Sequence, residues 1–226
     1  ELRQRGHTLA FAHGPGTDSA EWSATFAVRY PLATDERTAG AALSRALARF
    51  EPDVVFLHKF SDPGVLDALA ESGVPVVRMV HDHDLCCMRG YKYGYFSRRI
   101  CQRALSPYCI FPCGACLARG GGDARLSLRW VSYRAKRREI EVNKHFHRLV
   151  VATDYMRGEL LRNGFDADRI EIHPPVPRAG VPAATPSFSD RNLIVYAGQI
   201  IRGKGVDVLL EALARVTAPF ECVILG

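Results

Sequence analysis

Short apolar segments alternate with helical repeats along this chain, and that alternation most constrains its fold. Val54-Val55-Phe56-Leu57-His58 is apolar on both faces of a strand, and Val76-Val77 with Met79-Val80 form a second buried strand. Strands without a polar side belong to a parallel sheet covered by helices on both faces. The helices can be read from their period. Ala39, Ala42, Leu43, Ala46, Leu47 and Phe50 fall at i, i+3, i+4, i+7, i+8 and i+11, one face of an amphipathic helix that Glu51-Pro52-Asp53 stops. Pro63 opens the next helix through Val65, Leu66, Leu69 and Ala70, and Gly73 ends it. Upstream, Gly6 caps a helix end, residues 8–12 read as a strand and 22–30 as an extended run. Downstream, residues 149–152 and 170–173 read as strands around a helix at 154–163 capped by Gly164.

Residues 1–174 thus form one Rossmann-like α/β domain. Five prolines then follow, Pro174, Pro175, Pro177, Pro182 and Pro186, with no helical period between them, so 175–190 reads as a linker. A new α/β unit opens at 191–226: strand 193–197, turn 198–205, helix 206–216 and strand 220–225. The chain lacks an initiator Met and stops on a buried strand, so it is expected to be a segment of a longer protein.

Chemistry-bearing residues gather after the strand at Val76. It breaks off at His81-Asp82-His83-Asp84, and six of the seven cysteines follow between Cys86 and Cys116. Ligands of open α/β sheets sit beyond the carboxyl ends of strands, so this His-Asp pair is placed for chemistry; the plainer reading is that His81 only caps the strand. Residues 85–122 show neither a helical nor a strand period and form an insert. Without a secretory signal, clustered Cys reads as metal binding or redox chemistry before disulfides. Cys87, Cys101, Cys109 and Cys113 could hold a structural zinc; the alternative is thiols packed as small hydrophobes. After the insert, residues 124–149 read as one long helix with an apolar stripe of Leu128, Val131, Ala135, Val142, Phe146 and Leu149. Arg134, Arg137, Lys144 and Arg148 line another face, which is either solvated surface or a contact for anionic lipid. The net charge of +6 and pI of about 9.1 favour an anionic partner. No apolar run approaches the roughly twenty residues of a membrane span. In the second unit, Gly198 through Gly205 join a strand to a helix N-terminus, with Arg202 and Lys204 adding charge. Free N–H groups and the helix dipole there favour a diphosphate, although many such turns bind nothing.

These segments together resemble the retaining glycosyltransferases of family 4, which have the GT-B fold. The resemblance is carried by Arg5-Gly6-His7, Pro52-Asp53-Val54-Val55, Gly73-Val74-Pro75-Val76-Val77 through His81-Asp82, Ala152-Thr153 with Gly164-Phe165, and Tyr196-Ala197-Gly198. Its most specific part is Lys204-Gly205-Val206-Asp207-Val208-Leu209-Leu210-Glu211-Ala212. A subset of the family carries an HD motif followed by cysteines, matched here by Cys87, Cys101, Cys109 and Cys113. Gln199 stands where most members have Arg, with Arg202 three residues on as a substitute. The first strand with its Gly-rich loop, and the acidic segment that holds the donor sugar, lie outside this sequence, so the chain alone is expected to be inactive.

The resemblance implies transfer of a sugar from a nucleotide diphosphate sugar to a glycan or lipid-linked acceptor, with retention. It implies no catalytic metal; Gly198, Arg202 and Lys204 would hold the diphosphate. His81 would face the donor sugar, Asp82 would orient it, and Tyr91 and Lys92 would line the acceptor side. A cytoplasmic protein in peripheral contact with the inner face of an anionic membrane, without nucleic-acid partners, is the matching expectation. One rival is an iron–sulfur protein of the radical S-adenosylmethionine type. Cys109-x-x-x-Cys113-x-x-Cys116 has that spacing, but Ala115 stands where such motifs carry an aromatic, and several strands precede it. A non-catalytic metal-binding module is the other.

Overall fold

The computed structural model describes residues 2–14, 25–26, 28–32, 36–94, 99–115, 117–119, 128–175, 191–200 and 202–226. It divides into two compact units, Glu1–Pro175 and Val176–Gly226. Residues 176–190, most of the expected linker, lie outside the described residues.

In the first unit, strands β3 (Val55–His58), β4 (Val76–Val80), β7 (Arg148–Val151) and β8 (Ile170–Ile172) form one parallel sheet in that order. Strands β1 (Ala10–His13) and β2 (Val28–Pro31) form a separate parallel pair, and β5 (Leu117–Arg119) with β6 (Leu128–Trp130) an antiparallel one. Helices α1 (Glu36–Phe50) and α2 (Pro63–Glu71) follow the expected period. Ala39, Leu43 and Ala46 of α1 are buried with Val65, Leu66 and Leu69 of α2, and most of these join Leu57 and Val76 of the sheet in one core cluster. Asp62 caps α2 by accepting from Val65 N at 3.0 Å, just before the Pro63 that suits a first helical position. The two helices touch backbone to backbone: a Cβ on Gly40 would lie 2.6 Å from Gly64 O, so that site admits no side chain.

The expected helix over 124–149 is corrected. Its described part is strand β6, helix α3 (Tyr133–Lys144) and strand β7. Ser132 starts the helix by accepting from Ala135 N at 3.2 Å, and beyond His145 the chain joins the sheet through His147 N donating to Val76 O at 3.0 Å. Leu128 and Leu149 are therefore strand residues. Of the three buried residues of α3, only Ile140 is apolar; Glu139 and Asn143 are the others. They meet Arg78, a buried cation in the middle of β4: Arg78 donates to Asn143 Oδ1 at 2.6 Å and lies 3.5 Å from Glu139 Oε1. A strand read as apolar thus carries a charge at an inward position, and the helix that covers it is polar to match.

Helix α4 (Asp154–Arg162), capped by Thr153, repeats the device. Its Glu159 is fully buried and lies 2.9 Å from Lys92 of the insert. The described residues of the second unit form a strand–helix–strand: β9 (Leu193–Ala197), α5 (Val206–Leu213) and β10 (Glu221–Leu225), the strands pairing in parallel.

Candidate active site

The ends of β3 and β4 lie side by side because the strands pair from Val55↔Val76 to His58↔Met79. That register brings His58-Lys59 beside His81-Asp82. His81 Nε2 is 2.9 Å from His58 Nδ1, with ring centroids 4.7 Å apart, so one imidazole donates to the other. Burial, with a smaller contribution from His81, holds the His58 imidazole below its usual range, which favours the neutral form that can accept. Lys59 bridges two carboxylates of the next loop, at 2.7 Å from Asp82 Oδ2 and 3.4 Å from Asp84 Oδ2. Its backbone sits at φ +37°, unusual for a side chain of this size and a sign that the surroundings fix the turn. Asp82 Oδ1 also accepts from Asp84 N at 2.9 Å. Partial burial pushes the Asp82 carboxyl up, but the bonds from Lys59 and Asp84 N outweigh it, and the group lies below the usual carboxylate range. Lys59, Arg78, His81, Asp82, Asp84 and Leu85 line a small cleft at these strand ends.

Expectation and structure part at two residues. Asp82 is engaged with Lys59 and its own loop, so the residue within hydrogen-bond reach of His81 is His58. The sequence signal for His58 was present, a histidine closing a doubly apolar strand, but nothing local distinguished it from a strand cap. Lys92, expected on the acceptor side, is 2% exposed and turned inward onto Glu159 and the Arg103 carbonyl. Its neighbour Tyr91 is 73% exposed. The Asp84 carbonyl is held from beneath by Lys136 of α3 at 2.8 Å, so the loop bearing the site is tied to the same buried charges as Arg78.

The thiols of Cys86, Cys87, Cys101, Cys109, Cys113 and Cys222 are free. Burial pushes the Cys86 thiol up to about 12, which makes it an inert packing group. Burial, followed by Cys109 and Cys87 and with a lesser share from Cys101, raises Cys113. Among the described residues, no group of three or more His, Cys, Asp or Glu is arranged to hold an ion. Cys116, the third member of the iron–sulfur spacing, lies outside the described residues.

In the second unit, the turn after β9 is closed by Gly198 N donating to Leu225 O at 2.9 Å and by Tyr196 Oη donating to Gln199 O at 3.0 Å. Residues 202–204 form one 3-10 turn with Lys204 exposed; the Arg202 side chain lies outside the described residues. Gly205 then takes φ +73° at the start of α5, a left-handed position suited to glycine, and no side chain caps the helix. In the first turn Val208 N donates to Asp207 Oδ1 at 3.1 Å, next to the exposed Lys204.

A parallel sheet with a histidine pair at its strand ends, followed by a second strand–turn–helix unit with a basic turn, defines the class as GT-B-like α/β. The family model for Glycosyltransferase Family 4 matches residues 1–176, and the chain belongs to that family. Among solved structures, it is similar to the Anabaena protein Alr3699/HepE in complex with UDP-glucose. That match has a TM-score of 0.53 and 10% identity over 95% of this chain, which establishes likeness of fold. The chain spans 59% of that protein's length. No curated protein sequence matches it.

Proposed function

We propose that this chain is part of a glycosyltransferase that moves a hexose from a nucleotide diphosphate sugar to a glycan or lipid-linked acceptor with retention. In the reaction the bond from the anomeric carbon to the diphosphate oxygen breaks. The acceptor oxygen bonds to that carbon on the same face, and its proton leaves with the diphosphate or to water. The observation that carries the reading is the His58–His81 pair at the strand ends of a family 4 domain. His81 is the group that hydrogen-bonds the sugar or acceptor, and His58 fixes its ring. Gly198, Arg202 and Lys204, with the α5 N-terminus, hold the diphosphate, whose charge they stabilise as the bond breaks. Tyr91 lines the acceptor side. No metal takes part in the chemistry. The UDP-glucose bound to the solved neighbour makes a uridine diphosphate sugar the first donor to test.

The test is turnover by the complete protein and its His81→Ala variant. We expect a loss of about ten- to a thousandfold in turnover with the melting temperature kept, as for loss of one positioned polar group. Near-normal turnover would leave His81 as a strand cap. A zinc on Cys87, Cys101, Cys109 and Cys113 belongs to this reading only as a staple for the insert. Elemental analysis of aerobically and anaerobically purified protein tests it: bound zinc would support the staple. Metal-free protein removes the staple, and iron with sulfide replaces it by the cluster alternative.

A further inference from the structure

The two histidines of the site differ in what they meet. His81 lines the cleft at the strand ends, whereas His58 is not one of the lining side chains. The His58 ring has a fixed place of its own. Phe56 lies two residues earlier on the same face of β3, and the two rings pack with centroids 4.9 Å apart and planes tilted by 59°. Leu57 between them is buried on the opposite face. His58 thus reaches His81 from a strand and a neighbouring ring, and touches the cleft only through it.

The atoms that meet decide what His81 can offer. One hydrogen serves the 2.9 Å bond between His81 Nε2 and His58 Nδ1, and it belongs to one ring or the other. A neutral imidazole side chain favours its hydrogen on Nε2. If His81 donates, its hydrogen is on Nε2, and His58, with Nδ1 bare, also carries its hydrogen on Nε2. Both rings then keep the favoured tautomer. If His58 donates, both hydrogens move to Nδ1, and both rings take the other one. Partial burial, with a smaller share from His81, also works against a second proton on His58, so its Nδ1 stays an acceptor. The bond therefore runs from His81 to His58. A hydrogen held on Nε2 leaves a lone pair on Nδ1 of the same ring. His81 Nδ1 makes no hydrogen bond with the described residues. Lys59, the cation of the adjoining turn, gives its hydrogens to Asp82 and Asp84 at 2.7 and 3.4 Å instead.

We propose that His58 is a positioning residue that holds His81 in the Nε2–H tautomer, so that the bare Nδ1 accepts a hydrogen bond from a substrate hydroxyl. This role rests on the reading of His81 as the group that meets the sugar or acceptor, and it names the atom and the partner. A hydroxyl brings the hydrogen that Nδ1 lacks; a phosphate or carboxylate oxygen brings none. The hydroxyl belongs to the donor sugar or to the acceptor.

The tautomers are read from nitrogen chemical shifts of the full chain labelled with 15N-histidine, at about pH 8, above the ordinary histidine range. Resonances lost in His81→Ala and in His58→Asn assign the two rings. Hydrogen on Nε2 and a bare Nδ1 are expected in both, and hydrogen on Nδ1 of either ring overturns the proposal. Substitution then tests the positioning. An Asn side chain places an oxygen where His58 has Nδ1, and a Gln side chain places one where it has Nε2. In the complete protein with UDP-glucose as donor, His58→Leu should lower kcat/KM about tenfold, as for loss of one hydrogen bond. His58→Asn should restore most of that loss and His58→Gln should not, with the melting temperature of all three unchanged. Full activity in His58→Leu, or equal activity in the Asn and Gln variants, overturns the proposal. Calorimetry with UDP-glucose assigns the hydroxyl: weaker binding by His58→Leu places it on the donor sugar, and unchanged binding with a lowered kcat places it on the acceptor. The spectra need no substrate. The expected tautomers in a protein that neither binds nor turns over UDP-glucose would count against the transferase reading, and reversed tautomers in an active transferase would count against this one.

Discussion

Helices α2 and α3 cover the same sheet by opposite means. Val65, Leu66 and Leu69 of α2 enter a hydrocarbon cluster and are between 1% and 2% exposed. Helix α3 brings Glu139 and Asn143 onto Arg78, and α4 brings Glu159 onto Lys92. Apolar contact is non-directional and tolerates small displacements. A buried ion pair is a weak source of net stability, because desolvation offsets the attraction, but it has a narrow geometry. The chain uses the second device beneath the loop that carries Asp82 and Asp84, and at the root of the insert. Ile140 of α3 and Leu160 of α4 also enter a second apolar cluster with Leu149 and Val151, so hydrocarbon packing supplies stability on both sides, and the buried ion pairs fix where the loops stand.

Removing one partner on each side sharpens that contrast. Leu66→Ala should cost about 2–5 kcal/mol, the transfer term plus a cavity. Glu159→Ala should cost about 3–5 kcal/mol, because the Lys92 ammonium stays buried without its carboxylate. Rescue separates the two. Lys92→Met/Glu159→Met should recover most of the loss, since apolar residues of similar volume replace a buried pair at little net cost. Glu159 Oε2 meets Lys92 as a charge contact with no hydrogen bond of its own, and that supports the expectation. Urea midpoints of the three variants with unchanged slopes are the measurement. A double variant no more stable than Glu159→Ala would mean that the pair is held by more than its charges, and the contrast would fail.

The same division explains what could be read from the sequence. Helices α1 and α2 were legible because their apolar residues recur at helical spacing and their ends carry Glu51-Pro52-Asp53, Pro63 and Gly73. The parallel strands were legible because apolar residues dominate them, with single charges such as Arg78 and Glu171 as exceptions. The limits of α3 were not, since its buried residues Glu139 and Asn143 look like solvent residues and no Gly or Pro follows Lys144. Arg78 and Lys92 were misread for the same reason: burial of a charge depends on a partner 61 or 67 positions away in the chain, as the Arg78–Glu139 and Lys92–Glu159 pairs show. At the site, His81 was legible from its place at a strand end. Its partner His58 was not, because their meeting depends on the register of β3 against β4.

Protonation gives the smallest effect and the finest test of the contrast. His58 and His83 both lie below the usual imidazole range, chiefly through burial; for His83, Glu159 works against that shift and Lys92 with it. The folded chain therefore binds fewer protons than the unfolded chain once the pH falls under about 6.5, the ordinary histidine value. Stability is complete above that pH and declines as the pH drops through the low sixes toward five. Asp82, held below the carboxylate range, adds a further loss only at more acidic pH, as its carboxylate is protonated. His58 is largely exposed, so its share is about half a kcal/mol or less after solvent screening. His58→Asn keeps an amide that can bond His81 Nε2 and removes one titrating ring, so the decline between pH 7 and 5 should become shallower. Leu66→Ala should lower the whole curve and leave its slope alone, because the hydrocarbon cluster binds no protons. Urea denaturation at several pH values reads both. A slope altered by Leu66→Ala, or untouched by His58→Asn, would place the titrating groups elsewhere and end the separation of hydrocarbon packing from polar contacts.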